Sequence, residues 1–287
     1  MPSITQCPLD HAVISVRDRI DEAAAMFTRM GFTLTDRGFH STGSANHLMV
    51  FERDYLELIG FPPPGQPIRP DLVSAPIGLD GLVLQAADVP GIYQALVARG
   101  FPAAKPQNLA RKVILPGSTI EEEAHFTTVR LPRGALGGGR IYYCRHETPH
   151  LVWHAPFQSH ANGATGIASF TIAVPDPAKE IARFESALDA HATIRGDGSA
   201  FISLGHARLE LATPCALRAS LGTLACDATD HNGQPRDAYM AMLTIKVRDI
   251  AGTRDTLHRN GISMTQLGDR IVIPAAIAMN CTIAFSE

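Results

Sequence analysis

The amino-acid sequence predicts an α+β fold in which helices cover the outside of the sheets. Two observations support this prediction: a short strand followed by a helix recurs four times, and several further strand-like runs separate the copies. One strand–helix pair combined with several more strands is typical of α+β domains. The copies repeat at roughly 70 to 90 residues, which is too long for a solenoid, so each copy can form a small sheet of its own.

The first element of each copy is a short apolar strand that ends at an aspartate. These strands are predicted at residues 9–16, 82–87, 170–174 and 243–247. The aspartates that can cap the following helices are Asp18, Asp88, Asp176 and Asp249. The helices carry apolar residues at the spacing of a stripe buried on one face. Alternating apolar residues predict further strands at 47–52, 55–61, 125–131, 140–144, 200–204, 208–212, 270–273 and 282–285.

Segments rich in proline and glycine divide the chain. Residues 61–76 separate the first copy from the second, and residues 150–166, which include Pro156 and Asn162-Gly163, separate the first pair of copies from the second pair. Two domains are therefore predicted, residues 1–150 and residues 151–287, each with two copies.

The composition limits the classes of protein to consider. The 287 residues are 45% hydrophobic and 18% charged, which is typical of a folded globular protein. A formal charge of −3 without a basic cluster argues against a nucleic-acid partner. No apolar run approaches the roughly 20 residues that span a membrane. The N-terminus lacks a signal-peptide pattern, and the five cysteines are scattered, so a cytoplasmic location is expected.

Six short motifs of the first half carry a family resemblance. They are Leu9-Asp10-His11, His40-Ser41-Thr42-Gly43-Ser44-Ala45-Asn46, Tyr55-Leu56-Glu57-Leu58, Cys144-Arg145-His146-Glu147-Thr148-Pro149, Leu151-Val152-Trp153 and His160-Ala161-Asn162-Gly163. Together with the repeated strand–helix–three-strand unit, they resemble the vicinal oxygen chelate superfamily, in particular its glyoxalase-like branch. The second half shares only the repeat architecture. The resemblance implies four βαβββ units that pair into two half-open antiparallel barrels with helices outside.

The resemblance also implies a divalent metal inside the first barrel, with ligands on the first and last strands of each unit. It assigns His11 and Glu57 as the ligands of the first unit. Gly81, at the position equivalent to His11 in the second unit, has no donor atom. His146 is the expected third ligand, with His125 as its rival. Two histidines and one carboxylate suit Fe(II), Mn(II) or Zn(II) and depart from a four-ligand glyoxalase I site.

Each of these metal ligands also has a simpler interpretation. His11 could be a histidine at a strand end that is hydrogen-bonded to a backbone carbonyl, such as that of Asp10. Glu57 interrupts an apolar strand, so it either faces a cation inside the barrel or points to water. The sequence next to His146 also fits an exposed loop.

The second half lacks these ligands. Ser169 and Met242 stand where His11 would be, and Glu210 matches Glu57 without a histidine partner. We therefore expect the second half to serve packing, dimerisation or the walls of a pocket.

Other polar residues are candidates for catalysis or substrate binding. His40 and Tyr143 are the expected acid or base residues, and Asn46, Arg145 and Trp153 the expected substrate-binding residues. The alternatives are that His40 and Asn46 only stabilise a turn and that the aromatic residues belong to the core.

The predicted function is that of a metal-dependent enzyme acting on a small oxygenated metabolite that is chelated through neighbouring oxygens. The reaction would be a glyoxalase-like lyase or isomerase reaction, or ring cleavage by a dioxygenase. Ring-cleaving enzymes of this architecture usually carry the metal in the C-terminal pair of units, which argues against the second choice. The alternative function is a metal-free protein that sequesters a small molecule, as bleomycin-resistance proteins do. The partner is a small molecule, not nucleic acid or a membrane, and a homodimer is compatible with the superfamily.

Overall fold

The computed structural model describes residues 7–287, which form sixteen strands, six α-helices and three short 3₁₀ helices. The first half contains β1 (Leu9–Arg17), α1 (Ile20–Arg29), β2 (Gly38–His40), β3 (Ser44–Val50), β4 (Tyr55–Gly60), α2 (Pro70–Val73), β5 (Gly78–Gln85), α3 (Val89–Ala98), β6 (Gln107–Ile114), β7 (Glu121–Leu131) and β8 (Arg140–His146). The second half contains β9 (Ala164–Ala173), α4 (Pro177–Leu188), β10 (Ala192–Ile194), β11 (Ala200–Leu204), β12 (Ala207–Ala212), α5 (Pro214–Leu221), β13 (Tyr239–Val247), α6 (Ile250–Arg259), β14 (Thr265–Leu267), β15 (Arg270–Ile273) and β16 (Thr282–Ser286). The 3₁₀ helices are Pro149–Leu151, Ala155–Gln158 and Gly222–Leu224. The mixed α+β class that the sequence predicts is confirmed.

The eight strands of the first half form a closed barrel. Their order is β1-β4-β3-β2-β6-β7-β8-β5, with β1 parallel to β4 and β5 parallel to β8. The barrel closes where β2 meets β6 through the residue pair His40–Arg111. The prediction of a half-open barrel is therefore wrong for this half. The reason is the long β6–β7 hairpin, which supplies a wall against which β2 can pair.

The second half forms an eight-stranded sheet in the order β10-β11-β12-β9-β13-β16-β15-β14. Its two edge strands, β10 and β14, have three residues each. In the part of the chain that the structure describes, no pairing joins these edges, so this sheet stays open. The two halves thus share their repeat units and differ in closure.

The aspartate caps are confirmed for three of the four helices. Asp88, Asp176 and Asp249 each accept a hydrogen bond from a backbone N–H in the first turn of α3, α4 and α6. The cap at Asp18 is wrong, because α1 begins at Ile20 and its cap position is Arg19. Arg17 has a positive φ of 53°, and this turn shifts the start of the helix past Asp18.

Two layers of apolar side chains follow from the alternation along the barrel strands. Leu9, Ala12 and Ile14 of β1 belong to a large core that continues into the second half, where it includes Phe170. Val13 belongs to a separate cluster within the barrel. None of the helices in residues 7–287 is long and apolar enough to cross a membrane.

Strands with polar side chains were harder to predict. The run Glu121-Glu122-Glu123 is exposed and forms the start of β7, which begins before the predicted strand at 125–131. The strands β2, β6, β10 and β14 are not predicted from the sequence. The strand β6 turns the polar Arg111 inward, so its sequence lacks the apolar face that identifies most strands.

Candidate metal and substrate site

A β-bulge in β1 brings two consecutive polar residues to the same end of the barrel. The pairing of β1 with β5 steps from Leu9–Leu84 to His11–Val83 and leaves Asp10 without an opposite residue. Such a bulge interrupts the strict alternation of side chains between the two faces. Oδ1 of Asp10 lies 2.5 Å from Nδ1 of His11 and 3.0 Å from Nε2 of His146. One carboxylate oxygen therefore joins two imidazoles.

These three side chains could hold a metal ion. Within residues 7–287, they form the group of histidine, cysteine, aspartate and glutamate side chains whose ligand atoms all lie within 4.8 Å of one another. Oδ2 of Asp10 and Nδ1 of His146 are buried and have no hydrogen-bond partner. Two imidazoles and one carboxylate are a donor set that suits Fe(II), Mn(II) or Zn(II). The donor chemistry and the unpartnered carboxylate oxygen of Asp10 therefore fit a divalent ion.

The charges in this group favour metal ligation. Burial alone would raise the pKa of Asp10, but the imidazoles of His146 and His11 hold the pKa of this carboxyl far below its usual range. Asp10 is therefore ionised, as a metal ligand must be. The sequence predicts His11 and His146 as ligands but not Asp10, because alternation along a regular strand places neighbours on opposite faces.

The other ring nitrogen of His11 faces the inside of the barrel. Nε2 lies 3.4 Å from the hydroxyl of Tyr55 and 3.4 Å from the hydroxyl of Tyr142. The Tyr55 ring is stacked on the imidazole at 4.1 Å between centroids. Burial raises the pKa of both tyrosines, so both phenols stay protonated and can donate hydrogen bonds.

Glu57 also faces the interior and is 5% exposed, which excludes the interpretation that it points to water. Its Oε2 lies 3.9 Å from Nε2 of His11, and its Oε1 accepts a hydrogen bond of 2.6 Å from Asn46. Burial alone would raise the pKa of Glu57, but His40, His11 and Asn46 together lower it. Glu57 is therefore an ionised carboxylate on the side of His11 away from Asp10.

His40 completes this interior group. Its Nε2 lies 3.9 Å from Oε1 of Glu57, and its Nδ1 is 2.9 Å from Oγ of Ser44. Burial lowers the pKa of His40 to about 4, although the charge of Glu57 acts in the opposite direction. His40 is therefore a neutral imidazole beside an ionised carboxylate. The structure brings His40 and Asn46 together at Glu57, as their prediction as site residues requires.

The strand register identifies the true equivalent of Glu57 in the second unit. His11 pairs with Tyr55, two residues before Glu57, and Gly81 pairs with Arg140, two residues before Tyr142. Tyr142 therefore occupies the position on the last strand of the second unit that Glu57 occupies in the first unit. His146 lies four residues beyond it. The metal group of this chain depends on the bulge at Asp10, not on the internal symmetry of the barrel.

The structure does not bring Tyr143 into the site. Its side chain lies in the core shared by both halves, on the face of β8 opposite to Tyr142. Its hydroxyl donates a hydrogen bond of 2.5 Å to the carbonyl of Ala187. The assignment of Tyr143 as an acid or base is corrected accordingly: the adjacent Tyr142 faces the interior.

Two more predicted residues lie outside the site. Arg145 is exposed and forms an ion pair with Glu147, so it does not contact the barrel interior. His125 is also exposed, with Nε2 3.3 Å from a carboxylate oxygen of Glu123, and it does not belong to the metal group. The strand β7 directs both His125 and Glu123 to solvent.

Trp153 does lie at the site. Its ring packs edge-on against His146 at 4.8 Å and against Tyr55 at 5.8 Å. Trp153 also lines a cavity of about 530 Å³, together with Gln85 of the barrel and His206 of the second half. Trp153 thus contacts the metal group and also borders a cavity large enough for a small molecule.

The comparison with known families agrees with this geometry. The sequence model described as "Glyoxalase-like domain" matches residues 9–188. The chain belongs to this glyoxalase-like family. The matched segment contains every residue of the site and extends into the second half. No curated protein is similar enough in sequence to be matched.

Solved structures show how widely this glyoxalase-like fold recurs. A hypothetical protein from Staphylococcus aureus matches with a TM-score of 0.65 and 10% identity, over 97% of this chain and 98% of that chain. A mutant of 4-hydroxymandelate synthase from Streptomyces coelicolor matches with a TM-score of 0.61 and 14% identity, over 99% and 92%. A fusion of a xylose isomerase-like TIM barrel with 4-hydroxyphenylpyruvate dioxygenase matches with a TM-score of 0.59 and 13% identity. That match covers 99% of this chain and 49% of the fusion. At identities this low, the TM-scores establish a shared fold and nothing more specific.

Proposed function

We propose that this glyoxalase-like protein is a metal-dependent enzyme that acts on a small oxygenated metabolite chelated through neighbouring oxygens. Asp10, His11 and His146 hold the divalent metal, which is Fe²⁺, Mn²⁺ or Zn²⁺. The observation that carries the proposal is this buried group of three donors, in which Asp10 keeps one unpartnered carboxylate oxygen. This set replaces the combination of His11, Glu57 and His146 that the sequence predicts.

The residues around the metal group have separate roles in this proposal. When bound, a divalent ion with open positions supplies a Lewis acid that stabilises negative charge on the substrate oxygens. Glu57, ionised and shielded from water, accepts a proton from the substrate. His40, neutral and 3.9 Å from Glu57, accepts that proton in turn or returns it to the product. Tyr55 and Tyr142 donate hydrogen bonds to substrate oxygens.

Two reaction classes remain within this proposal. A glyoxalase-like lyase or isomerase reaction is supported by Glu57 and His40, which provide a base and a second proton carrier. Ring cleavage by a dioxygenase is supported by the donor set of two histidines and one carboxylate, which is common among Fe(II) oxygenases. The fold shared with the 4-hydroxyphenylpyruvate dioxygenase fusion is compatible with the second class. Identification of the metal separates them, because iron would favour oxygen chemistry.

A second candidate function is that of a metal-free protein that binds and sequesters a small molecule. It is favoured by one observation: Oδ1 of Asp10 already lies at hydrogen-bond distance from both His11 and His146. The group can therefore persist as a hydrogen-bonded triad, with the cavity beside Trp153 as the ligand site. In either case the partner is a small molecule, and formation of a homodimer stays a prediction.

The proposal is tested by the metal content of the protein, purified without a histidine tag and measured by mass spectrometry. We expect near-stoichiometric metal in the wild type and its loss in the variants Asp10→Asn and His146→Gln. Glu57→Gln is the matched control, because it changes a buried carboxylate beside the same His11. Retention of metal in this control supports ligation by Asp10, whereas loss in Glu57→Gln and His146→Gln with retention in Asp10→Asn would restore the set that the sequence predicts.

The alternative makes the opposite prediction. A wild-type protein that stays metal-free after anaerobic incubation with Fe²⁺, Mn²⁺ and Zn²⁺ would contradict the enzyme proposal. Asp10→Asn should then change only the stability of the triad, and the search for ligands should turn to molecules that fit the cavity beside Trp153.

A further inference from the structure

Arg111 is a buried cation inside the barrel without an acidic partner. It lies on β6, is 2% exposed, and within residues 7–287 no carboxylate oxygen lies within ion-pair distance of it. Its Nη1 makes one long contact of 3.5 Å with Oδ1 of Asn46. Its Nε and Nη2 are buried and have no hydrogen-bond partner. Two donors of a charged group are therefore unsatisfied in the protein interior.

The two free donors of Arg111 share one edge of the guanidinium plane. In arginine, Nε–H and the nearer N–H of Nη2 point in the same direction, and a carboxylate can accept both as parallel hydrogen bonds. An isolated buried cation is strongly unfavourable, so native structures usually pair it with an anion. The edge that would bind such an anion is the edge whose Nε and Nη2 have no hydrogen-bond partner.

Glu57 does not supply this anion. Its Oε1 accepts from Asn46, and its two oxygens face His40 and His11. The positive charges of Arg111, Arg69 and Arg130 all act on His40 and lower its pKa, whereas Glu57 is the acidic group that opposes them. Arg69 forms an ion pair with Asp71, which leaves Arg111 and Arg130 opposite the single charge of Glu57 around His40.

A cavity of about 240 Å³ reaches Arg111 where β2 and β6 meet. It is lined by the buried Arg111 and by the exposed Phe39 and Ile114, so it extends from the surface to the wall of the barrel. Its charged lining residues besides Arg111 are two cations and two carboxylates, Arg37, Lys112, Asp36 and Glu121. Gly38 lies against the guanidinium. A Cβ atom at this position would come within 2.6 Å of Cδ of Arg111 and of Oδ1 of Asn46.

We propose that Arg111 binds the carboxylate of the substrate, so the metabolite that this protein acts on is a small carboxylic acid. The inference rests on the proposed function only for the identity of the ligand as a substrate, because the binding site itself is independent of the metal group. The free edge of Arg111 forms two parallel hydrogen bonds with the carboxylate.

The test measures binding of benzoate, acetate and inorganic phosphate, with benzamide and acetamide as neutral counterparts. Quenching of Trp153, the one tryptophan of the chain, and a thermal shift provide two readouts. We expect the wild type to bind the carboxylates and not the amides. Arg111→Gln should weaken carboxylate binding by roughly tenfold or more.

Two further variants keep the result interpretable. Lys179→Gln is the control, because Lys179 is an exposed cation of α4 beside Asp176 and does not line the cavity at Arg111. It should bind benzoate as the wild type does. Arg111→Lys keeps the charge and lacks the two-donor edge, so its benzoate affinity should fall several-fold even if Arg111→Gln does not fold.

Three outcomes would overturn the inference: equal binding of benzoate and benzamide, unchanged affinity in both Arg111 variants, or no binding of carboxylates to the wild type. Tighter binding of phosphate than of benzoate, lost in Arg111→Gln, would replace the carboxylic acid by a phosphorylated substrate. Metal content is measured in the same samples. Loss of carboxylate binding in Arg111→Gln in a protein that never binds metal would refute the proposed enzyme and leave this binding site intact.

Discussion

The barrel and the second sheet use equivalent positions for opposite purposes. Glu57 pairs with Val13 in the barrel, and Glu210 pairs with Thr171 in the second sheet, so the two glutamates occupy the same place in their units. The Glu57 side chain is 6% exposed and faces two imidazoles. The Glu210 side chain is 27% exposed and lies 3.2 Å from Nη2 of Arg195.

The position of His11 shows the same contrast. The register places Ser169 at its equivalent in the second sheet, and the Ser169 hydroxyl donates a hydrogen bond of 3.0 Å to Thr244. At these two positions the open sheet thus pairs its polar groups with one another or exposes them in part to solvent. The closed barrel instead buries His11, Glu57 and Arg111, and we propose that their polar atoms bind metal or substrate. Closure of the sheet, and not the repeat unit itself, distinguishes the half with a candidate site.

The largest expected effect on the free energy of unfolding comes from removing a buried carboxylate of the barrel. Removal of a partly exposed carboxylate of the second sheet is the comparison. Asp80 is fully buried in β5 and accepts hydrogen bonds from Nη2 of Arg133 at 2.8 Å and Nε of Arg140 at 2.9 Å. Asp80→Ala leaves the buried Arg140 without this partner and should lower the free energy of unfolding by about 3–5 kcal/mol. Glu210→Ala removes a partly exposed pair and should cost less than about 1 kcal/mol. Urea unfolding of both variants measures the difference, and equal losses would contradict the comparison.

An intermediate effect is expected from pH, because burial lowers the pKa of His40 from 6.5 to about 4. Between these values the unfolded chain binds a proton that the folded barrel does not, so stability decreases as the pH falls through this window. At pH 5 this group alone should cost about 2 kcal/mol relative to pH 7.

The measurement compares urea unfolding of the wild type and His40→Gln at pH 7 and pH 5. Other titrating groups are common to both proteins, so the loss between the two pH values should be about 2 kcal/mol smaller in the variant. His191→Gln, at an exposed histidine of the second half, is the control and should follow the wild type. A variant whose pH dependence matches the wild type would contradict the buried neutral state of His40.

The smallest effect is expected from Thr171→Val, and the reverse substitution Val13→Thr at the equivalent position of the barrel provides its comparison. The Thr171 hydroxyl is buried and has no hydrogen-bond partner, so Thr171→Val should change the free energy of unfolding by less than about 0.5 kcal/mol or stabilise the protein. Val13→Thr places a new hydroxyl in the apolar part of the barrel and should cost about 1–3 kcal/mol. Urea unfolding at pH 7 measures both, and a costly Thr171→Val would indicate that its hydroxyl has a partner such as ordered water.

Part of the candidate site could be predicted from the sequence. His11, Glu57, His40 and Asn46 were identified from their motifs, and the structure places all four on the inner wall of the barrel. The sequence predicts Tyr143 as an acid or base, but the adjacent Tyr142 faces the interior. The two differ because a shift of one residue in a strand exchanges its two faces. Asp10 and Arg111 were not selected, since a bulge and a charged inward side chain both depart from the pattern of a regular strand.

The sequence by itself determined the repeated units, three of the four helix caps and most of the strands. These features depend on residues close together in the chain, whose periodicity records which face is buried. The tertiary structure alone decided that the first sheet closes and the second stays open. It also decided that Asp10 joins His11 to His146, and that Arg111 is buried with a free edge. These features depend on contacts between distant residues, in which strand pairing sets the register and burial removes the water that would otherwise satisfy each polar group.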